Sequence, residues 1–440
     1  MNRARGSYRK IRVLHLVVIT LALTNVSVAQ IGDFRLLVFW PILMLAMLTS
    51  TNFKDGTRLP RTAIAFLLVA VLMQISGLAN LSKVKATSLA LSLGWIVYWY
   101  WLVTDWRPRL ALNMEQTLSW VAKIYFGAIL LSALLVFLGW KDSPLPNFLG
   151  WIYDLRQGHP RFYGPTSEPS YAALILGITG LGILRARIGH GLPARSRSSD
   201  LVFIGILISL LFLRSIYSIV VALVLLPAFA MHKTTRPGSG MLLALVLVPF
   251  LPFFAVLIPD DSRFGIIFAQ LSQLSFLGLR EVDSSAYMRF GPSIEMLLRV
   301  SLDQPEFWIG HGAGSAQTFF GNIFSVLLEN NLSTMNFGFF PSFVFDYGVL
   351  ASLVMLIYLF AIAHGAFSLQ TRFLIFIALF NCNFNTAIFW YLITVVLLTS
   401  PHAIAAGRKR LRSKISGDNS AGVVDTALPV LSREHTRHVL

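Results

Sequence analysis

The chain has 440 residues, 55% of them hydrophobic and 13% charged, with a mean hydropathy of +0.68. A soluble globular domain carries about 25% charged residues, so a surface that faces water all round is excluded. The formal net charge of +16 does not require a nucleic-acid partner once its placement is read, and the single cysteine, Cys382, excludes an intrachain disulfide framework.

Apolar runs that suit a bilayer core of about 30 Å predict about twelve transmembrane helices. They lie near 13–29, 36–51, 62–79, 86–104, 118–139, 169–184, 201–213, 216–231, 241–258, 342–363, 373–384 and 385–400. The fold class expected is an all-α polytopic membrane protein. The segments on the N-terminal side of the membrane hold 24 of the 36 Lys+Arg and 7 of the 20 Asp+Glu, and those on the other side hold 11 and 13. That asymmetry is the positive-inside pattern, and it predicts both termini in the cytoplasm.

The first run begins after basic residues Arg3 to Arg12 and ends at Ser27-Val28-Ala29, the outline of a cleavable signal. Only a few polar residues separate Ala29 from the next apolar run, which favours an ordinary first hairpin. Further on, Leu201–Met231 reads as two helices joined at Arg214-Ser215, because an arginine at a hairpin tip reaches water whereas one in mid-membrane is costly. Arg372–Ser400 reads likewise as two helices around a turn of Asn381, Asn383 and Asn385. Lys123 lies within the fifth run and snorkels to the interface. Residues 1–400 form one integral membrane domain, and 401–440 a basic, disordered cytoplasmic tail.

Two segments assigned to the far side, about 140–168 and 259–341, carry the chemistry-bearing residues. In the second, Phe264, Ile267, Leu271 and Leu274 recur at helical spacing, as do Ile294, Leu297 and Leu298 after Pro292. Both sets predict amphipathic helices on the membrane surface. The first segment ends with Arg161-Phe162-Tyr163-Gly164 and Glu168-Pro169-Ser170 at the start of a helix. Glu168 there serves either as a helix-terminal carboxylate that complements the dipole or as a reactive group. Arg289 has no acidic residue three or four positions away, whereas Glu295 precedes Arg299 at the spacing of a helical ion pair. Gly310-His311-Gly312-Ala313-Gly314 makes a glycine-rich turn in which backbone N–H groups can face an anion. Asp260-Asp261 reads as a solvated pair rather than a metal site. Arginines on two far-side loops and at a hairpin tip suit a pyrophosphate, which guanidinium recognises bidentately.

The order of these motifs, with Phe345-Asp346-Tyr347-Gly348 opening the next helix, resembles the Wzy-type O-antigen and exopolysaccharide polymerases and the related WaaL-type O-antigen ligases. The resemblance spans about residues 120–400. Phe319–Asn331 departs from it in lacking the His-Asn pair often seen after the glycine turn. It implies a metal-independent, cofactor-free, inverting glycosyltransferase on the periplasmic face of a bacterial inner membrane. The donor implied is an undecaprenyl-pyrophosphate-linked oligosaccharide. The acceptor is a second lipid-linked repeat unit in a polymerase, or lipid A–core in a ligase. Arg161, Arg214 and Arg289 would hold the pyrophosphate, with Gly310, Gly312 and Gly314 also binding the substrate, and Glu168 or His311 would take the acceptor proton. The Glu168-Pro169 match favours a polymerase, working with a flippase and a chain-length regulator in the same bilayer.

Overall fold

The computed structural model describes residues 13–24, 26–31, 34–49, 61–106, 110–140, 153–156, 159–192, 197–213, 215–233, 284–299, 301–328 and 337–406. The span expected at 241–258, Asp260-Asp261, the Phe264–Leu274 pattern and most of the tail lie outside them. The described chain is helical apart from two small antiparallel hairpins.

The helices are α1 (Val13–Ala22), α2 (Phe39–Thr49), α3 (Arg61–Ala79), α4 (Ala86–Trp101), α5 (Met114–Phe137), α6 (Pro169–Gly189), α7 (Arg197–Leu213) and α8 (Ile216–Lys233). Beyond them come α9 (Ser284–Arg299), α10 (Pro305–Ile309), α11 (Ser315–Leu328), α12 (Phe339–Ile362), α13 (Ser368–Asn381) and α14 (Ala387–Leu398). Among the described residues, four helical stretches are long and apolar enough to cross a membrane: Ala86–Thr104, Ala111–Phe137, Pro169–Gly189 and Phe339–Ile362. Seven shorter apolar helices of 10–17 residues accompany them.

The hairpins depart from the all-helical expectation. The first apolar run does not stay helical to residue 29: α1 ends at Ala22, and β1 (Ser27–Ile31) pairs with β2 (Phe34–Leu37). In the second hairpin, β3 (Tyr153–Arg156) pairs with β4 (His159–Phe162), with Asp154 opposite Arg161. Each pair of strands is separated by two residues, Gly32-Asp33 and Gln157-Gly158. A glycine in a two-residue connection is the ordinary sequence signal for a hairpin.

Helix α6 is apolar all round and buried along almost its whole length, as such a helix must be. It starts with Pro169 at its first turn and is enclosed by α5, α7, α8, α13 and α14. Around α4, α12 and α14 the core is aromatic, with Trp95 stacked on Trp390 and Phe66 on Trp99. The polar tips in this layer pair with one another: Trp99 Nε1 donates to Tyr358 Oη at 2.6 Å, and Tyr98 Oη meets Thr394 Oγ1 at 2.7 Å. Buried Tyr and Trp need such partners, so these bonds fix helix register as well as filling space.

The two hairpins of helices expected from sequence are present. Phe203 stacks on Phe229 at 4.2 Å and Asp200 pairs with Lys233, so α7 and α8 run antiparallel. Arg185, 2% exposed, donates to Thr371 at the start of α13 and to Thr399 just past α14. The second hairpin therefore opens and closes at the same end. The same guanidinium also donates to the carbonyls of Ala363, His364 and Ala366 beyond α12, where a cation complements the helix dipole. Also at that end, Arg187 pairs with Glu115 at 2.6 Å and donates to Ser199, and His190 meets the Ala111 carbonyl. Residues near 111–115, 185–200, 363–371 and 399 are thus tied together, and the N-terminal halves of α6 and α12 lie towards the opposite end.

Candidate functional site

At that opposite end α12 is interrupted. Gly348 has φ 80° and ψ 171°, which opens the helix just after Asp346. Into the opening fits the glycine turn that follows α10. His311 N–H donates to the Phe345 carbonyl at 2.9 Å and Gly312 N–H to the Asp346 carbonyl at 2.9 Å. The two backbones touch closely: a Cβ on Gly310 would lie 2.3 Å from the Asp346 carbonyl oxygen, and one on Gly348 would lie 2.2 Å from that of Trp308. Only glycine fits at either position, and both have positive φ.

The Asp346 side chain completes the joint. It is 8% exposed, and its two oxygens accept from Gly314 N–H at 2.9 Å and Ala316 N–H at 2.7 Å, at the N-terminus of α11. Carboxylates are favoured there by the unpaired N–H groups and the dipole. The glycine turn does turn N–H groups towards an acceptor, but the acceptor is this internal carboxyl group rather than a ligand. Gly310 N–H is also engaged, with Glu306. Shaping the turn is what Gly310, Gly312 and Gly314 do; presenting free donors is not.

His311 is held in a defined state. Its ring stacks on Phe345 at 4.0 Å, and Nδ1 lies 3.3 Å from the Phe345 carbonyl. A carbonyl only accepts, so Nδ1 carries the proton and the Nε2 lone pair is available as a base. Burial lowers the imidazole pKa from its ordinary 6.5. The Phe345 carbonyl opposes that shift, Lys83 adds to it, and Glu306 opposes it. The neutral ring is therefore the resting form at neutral pH.

A second, smaller hydrophobic cluster covers this joint. Tyr287 and Met296 of α9 pack with Ala316, Phe320, Phe337 and Phe345, and Ser293 Oγ donates to the Phe340 carbonyl at 3.2 Å. Helix α9, the amphipathic helix expected after Pro292, spans Pro292 and carries Arg289 to the start of α12. Leu297 and Leu298 point outward, 72% and 75% exposed, whereas Met296 is buried. The side chains of Arg289 and Arg299 lie outside the described residues.

Glu168 occupies the last extended position before α6, and Ser170 Oγ donates to its Oε2 at 3.1 Å. It is the N-cap residue of α6, where its carboxylate complements the dipole without a capping hydrogen bond. The Cys382 carbonyl accepts from Phe339 N–H at 2.8 Å. Glu168, at the start of α6, and His311, bonded to the first turns of α12, both lie at the end of the bundle where those helices begin. Arg161 lies on β4, and the next residue, Phe162, packs edge-on against Phe212 of α7 at 6.1 Å. Arg214, two residues after Phe212, falls outside the described residues, as does the Arg161 side chain. β4 and the C-terminal end of α7 meet at this ring contact.

Two further contributors become visible only in the fold. Asp346, which the sequence marks only within the motif that opens α12, is a carboxylate in a very apolar run, itself a strong signal. The short connection Asn80–Lys85 carries no motif. It is bonded to the glycine turn: Asn80 Nδ2 donates to the Gly310 carbonyl at 3.0 Å, and Lys85 N–H to that of Ala313 at 2.9 Å. Asn381, read as part of a turn, closes α13; it is 4% exposed, and neither atom of its amide has a partner among the described residues.

No family model matches the chain, and no curated protein matches it. A neutral imidazole with a free lone pair and a carboxylate at a helix start suit proton removal from a hydroxyl.

Proposed function

We propose that the protein is a membrane glycosyltransferase that joins undecaprenyl-pyrophosphate-linked oligosaccharide repeat units into an O-antigen or exopolysaccharide. The observation that carries this reading is the His311 joint, a rigid turn presenting a basic nitrogen at the end of the bundle to which Glu168 and Arg289 also belong. In the proposed reaction the acceptor hydroxyl loses its proton to His311 or Glu168 and attacks the anomeric carbon. The bond to the polyprenyl pyrophosphate breaks with inversion, and Arg161, Arg214 and Arg289 stabilise the charge on the leaving group. The deciding experiment is deletion and complementation in the native bacterium. A polymerase leaves single repeat units when deleted, whereas a ligase leaves long chains on the lipid carrier.

The proposed orientation puts this site in the periplasm of the inner membrane. It is supported by the sorting of loops. Segments near 80–85, 161–168 and 310–314, assigned to the far side by charge, and the Asn381–Asn385 turn lie at one end, and the basic segments at the other. Reporter fusions after Ser285 are expected to report periplasm, and fusions after Arg197 and Arg412 cytoplasm. A cytoplasmic signal at Ser285 would contradict the orientation.

Arg161→Ala and Arg289→Ala are each expected to lower polymer yield about 10²-fold at normal protein level, the usual scale for losing one preorganised charge-stabilising donor. Lysine should rescue poorly, because a point charge does not reproduce bidentate geometry. Gel analysis of the polysaccharide beside an immunoblot checks this, and normal polymer from Arg289→Ala would remove that residue from the site.

A further inference from the structure

Lys83 and Lys85 hang from the connection that is bonded to the His311 turn, and both are exposed. Lys83 acts electrostatically on His311 and Lys85 on Asp346. Neither lysine is in an ion pair among the described residues: both Asp346 oxygens already accept N–H groups, and Glu306, the other acid acting on His311, pairs with neither. Two exposed lysines thus stand on the connection bonded to the His311 turn, unpaired among the described residues.

The apolar surroundings indicate what sort of anion fits. Leu81, in the same connection, is 72% exposed, and Leu302 and Trp308 are 66% and 43% exposed. Trp308 belongs to α10, which packs on α3, and its indole N–H donates to the Leu302 carbonyl. The patch continues an exposed apolar stripe on α3 that includes Ile64, Leu68, Val71, Ile75 and Leu78. Exposed leucines, a tryptophan and lysines on neighbouring segments are the residue types that meet a bilayer interface, where cations reach the phosphates.

We propose that this surface binds the phosphate of a membrane lipid, with Lys83 and Lys85 on the phosphate and Leu81, Leu302 and Trp308 among the acyl chains. The inference deepens the glycosyltransferase reading, on which it rests for its purpose: it brings a lipid phosphate to the edge of the His311 turn. A bulk phospholipid and a lipid-linked sugar diphosphate offer the same chemistry, and the test separates them.

Full-length protein in neutral detergent is titrated with dioctanoyl phosphatidylglycerol and, separately, with dioctanoylglycerol, which has the same chains without phosphate. Binding is read by microscale thermophoresis. A lysine near a lipid phosphate contributes about five-fold in affinity, so Lys83→Gln/Lys85→Gln should bind the phospholipid about 30-fold more weakly. The Lys83→Arg/Lys85→Arg pair should bind like the wild type, and dioctanoylglycerol should not distinguish the variants. Inorganic pyrophosphate and inorganic phosphate are then added as competitors. Stronger displacement by pyrophosphate assigns the surface to a lipid diphosphate, and equal displacement assigns it to a phospholipid headgroup. Unchanged phospholipid binding by the glutamine pair, or an equal loss with dioctanoylglycerol, overturns the proposal. No glycosyl transfer is measured, so failure here leaves the polymer assay untouched, and failure of that assay leaves this surface standing.

Discussion

Gly348→Ala should unfold the joint between α12 and the glycine turn, lowering stability by about 4 kcal/mol or more. Two effects add. At φ 80° an L side chain is strained, and the new Cβ would stand 2.2 Å from the Trp308 carbonyl oxygen and 2.5 Å from its carbon. Both neighbours are backbone atoms, so no side-chain rotation relieves the overlap. Separation of the two strands would break the His311 and Gly312 hydrogen bonds and uncover the Asp346 carboxylate. Gly127→Ala in α5 is the matched control, since its Cβ meets nothing within 4 Å. That change should raise stability by about 0.5–1 kcal/mol through helix propensity. Thermal unfolding in detergent measures both, and a Gly348→Ala midpoint equal to that of the wild type would mean that the two backbones do not approach so closely.

The contrast between these glycines shows what the sequence could carry. Helices were legible because their signal is local: apolar runs, Pro169 at a helix start, and the Arg214-Ser215 and Asn381–Asn385 breaks that separate the two late hairpins. The small β-hairpins were also local signals, Gly32-Asp33 and Gln157-Gly158, but each was lost within an apolar or loop assignment. The site was legible only in part. A Gly310-x-Gly312-x-Gly314 pattern announces an unusual backbone, yet nothing in it says that the partner is Gly348, thirty-eight positions beyond Gly310. In the same way Asp346 and the Asn80–Lys85 connection acquire their roles only when α3 and α12 are packed side by side. Long-range pairing leaves no periodic trace in either partner, and these are the contacts that set the state of His311.

That state allows the two candidate bases to be separated. His311→Asn keeps an amide N–H where Nδ1–H donates to the Phe345 carbonyl, but removes the Nε2 lone pair. Glu168→Gln keeps the size of the side chain and an acceptor for Ser170 Oγ, but removes the basic carboxylate. Whichever residue takes the acceptor proton, its variant should make polymer about 10²–10⁴-fold more slowly at normal protein level, while the other keeps most of its activity. The pH dependence is an independent readout. Because burial lowers the His311 pKa from 6.5, the folded protein favours the neutral ring. Its contribution to stability is complete above 6.5 and declines as the pH falls below that value, because the unfolded chain then binds the proton more readily. With His311 as base, polymer synthesis by isolated membranes should hold at neutral pH and fall on the acid side, at a value below 6.5. His311→Asn should leave a slow residual rate without that limb. A limb that persists in His311→Asn and disappears in Glu168→Gln would transfer the role to Glu168.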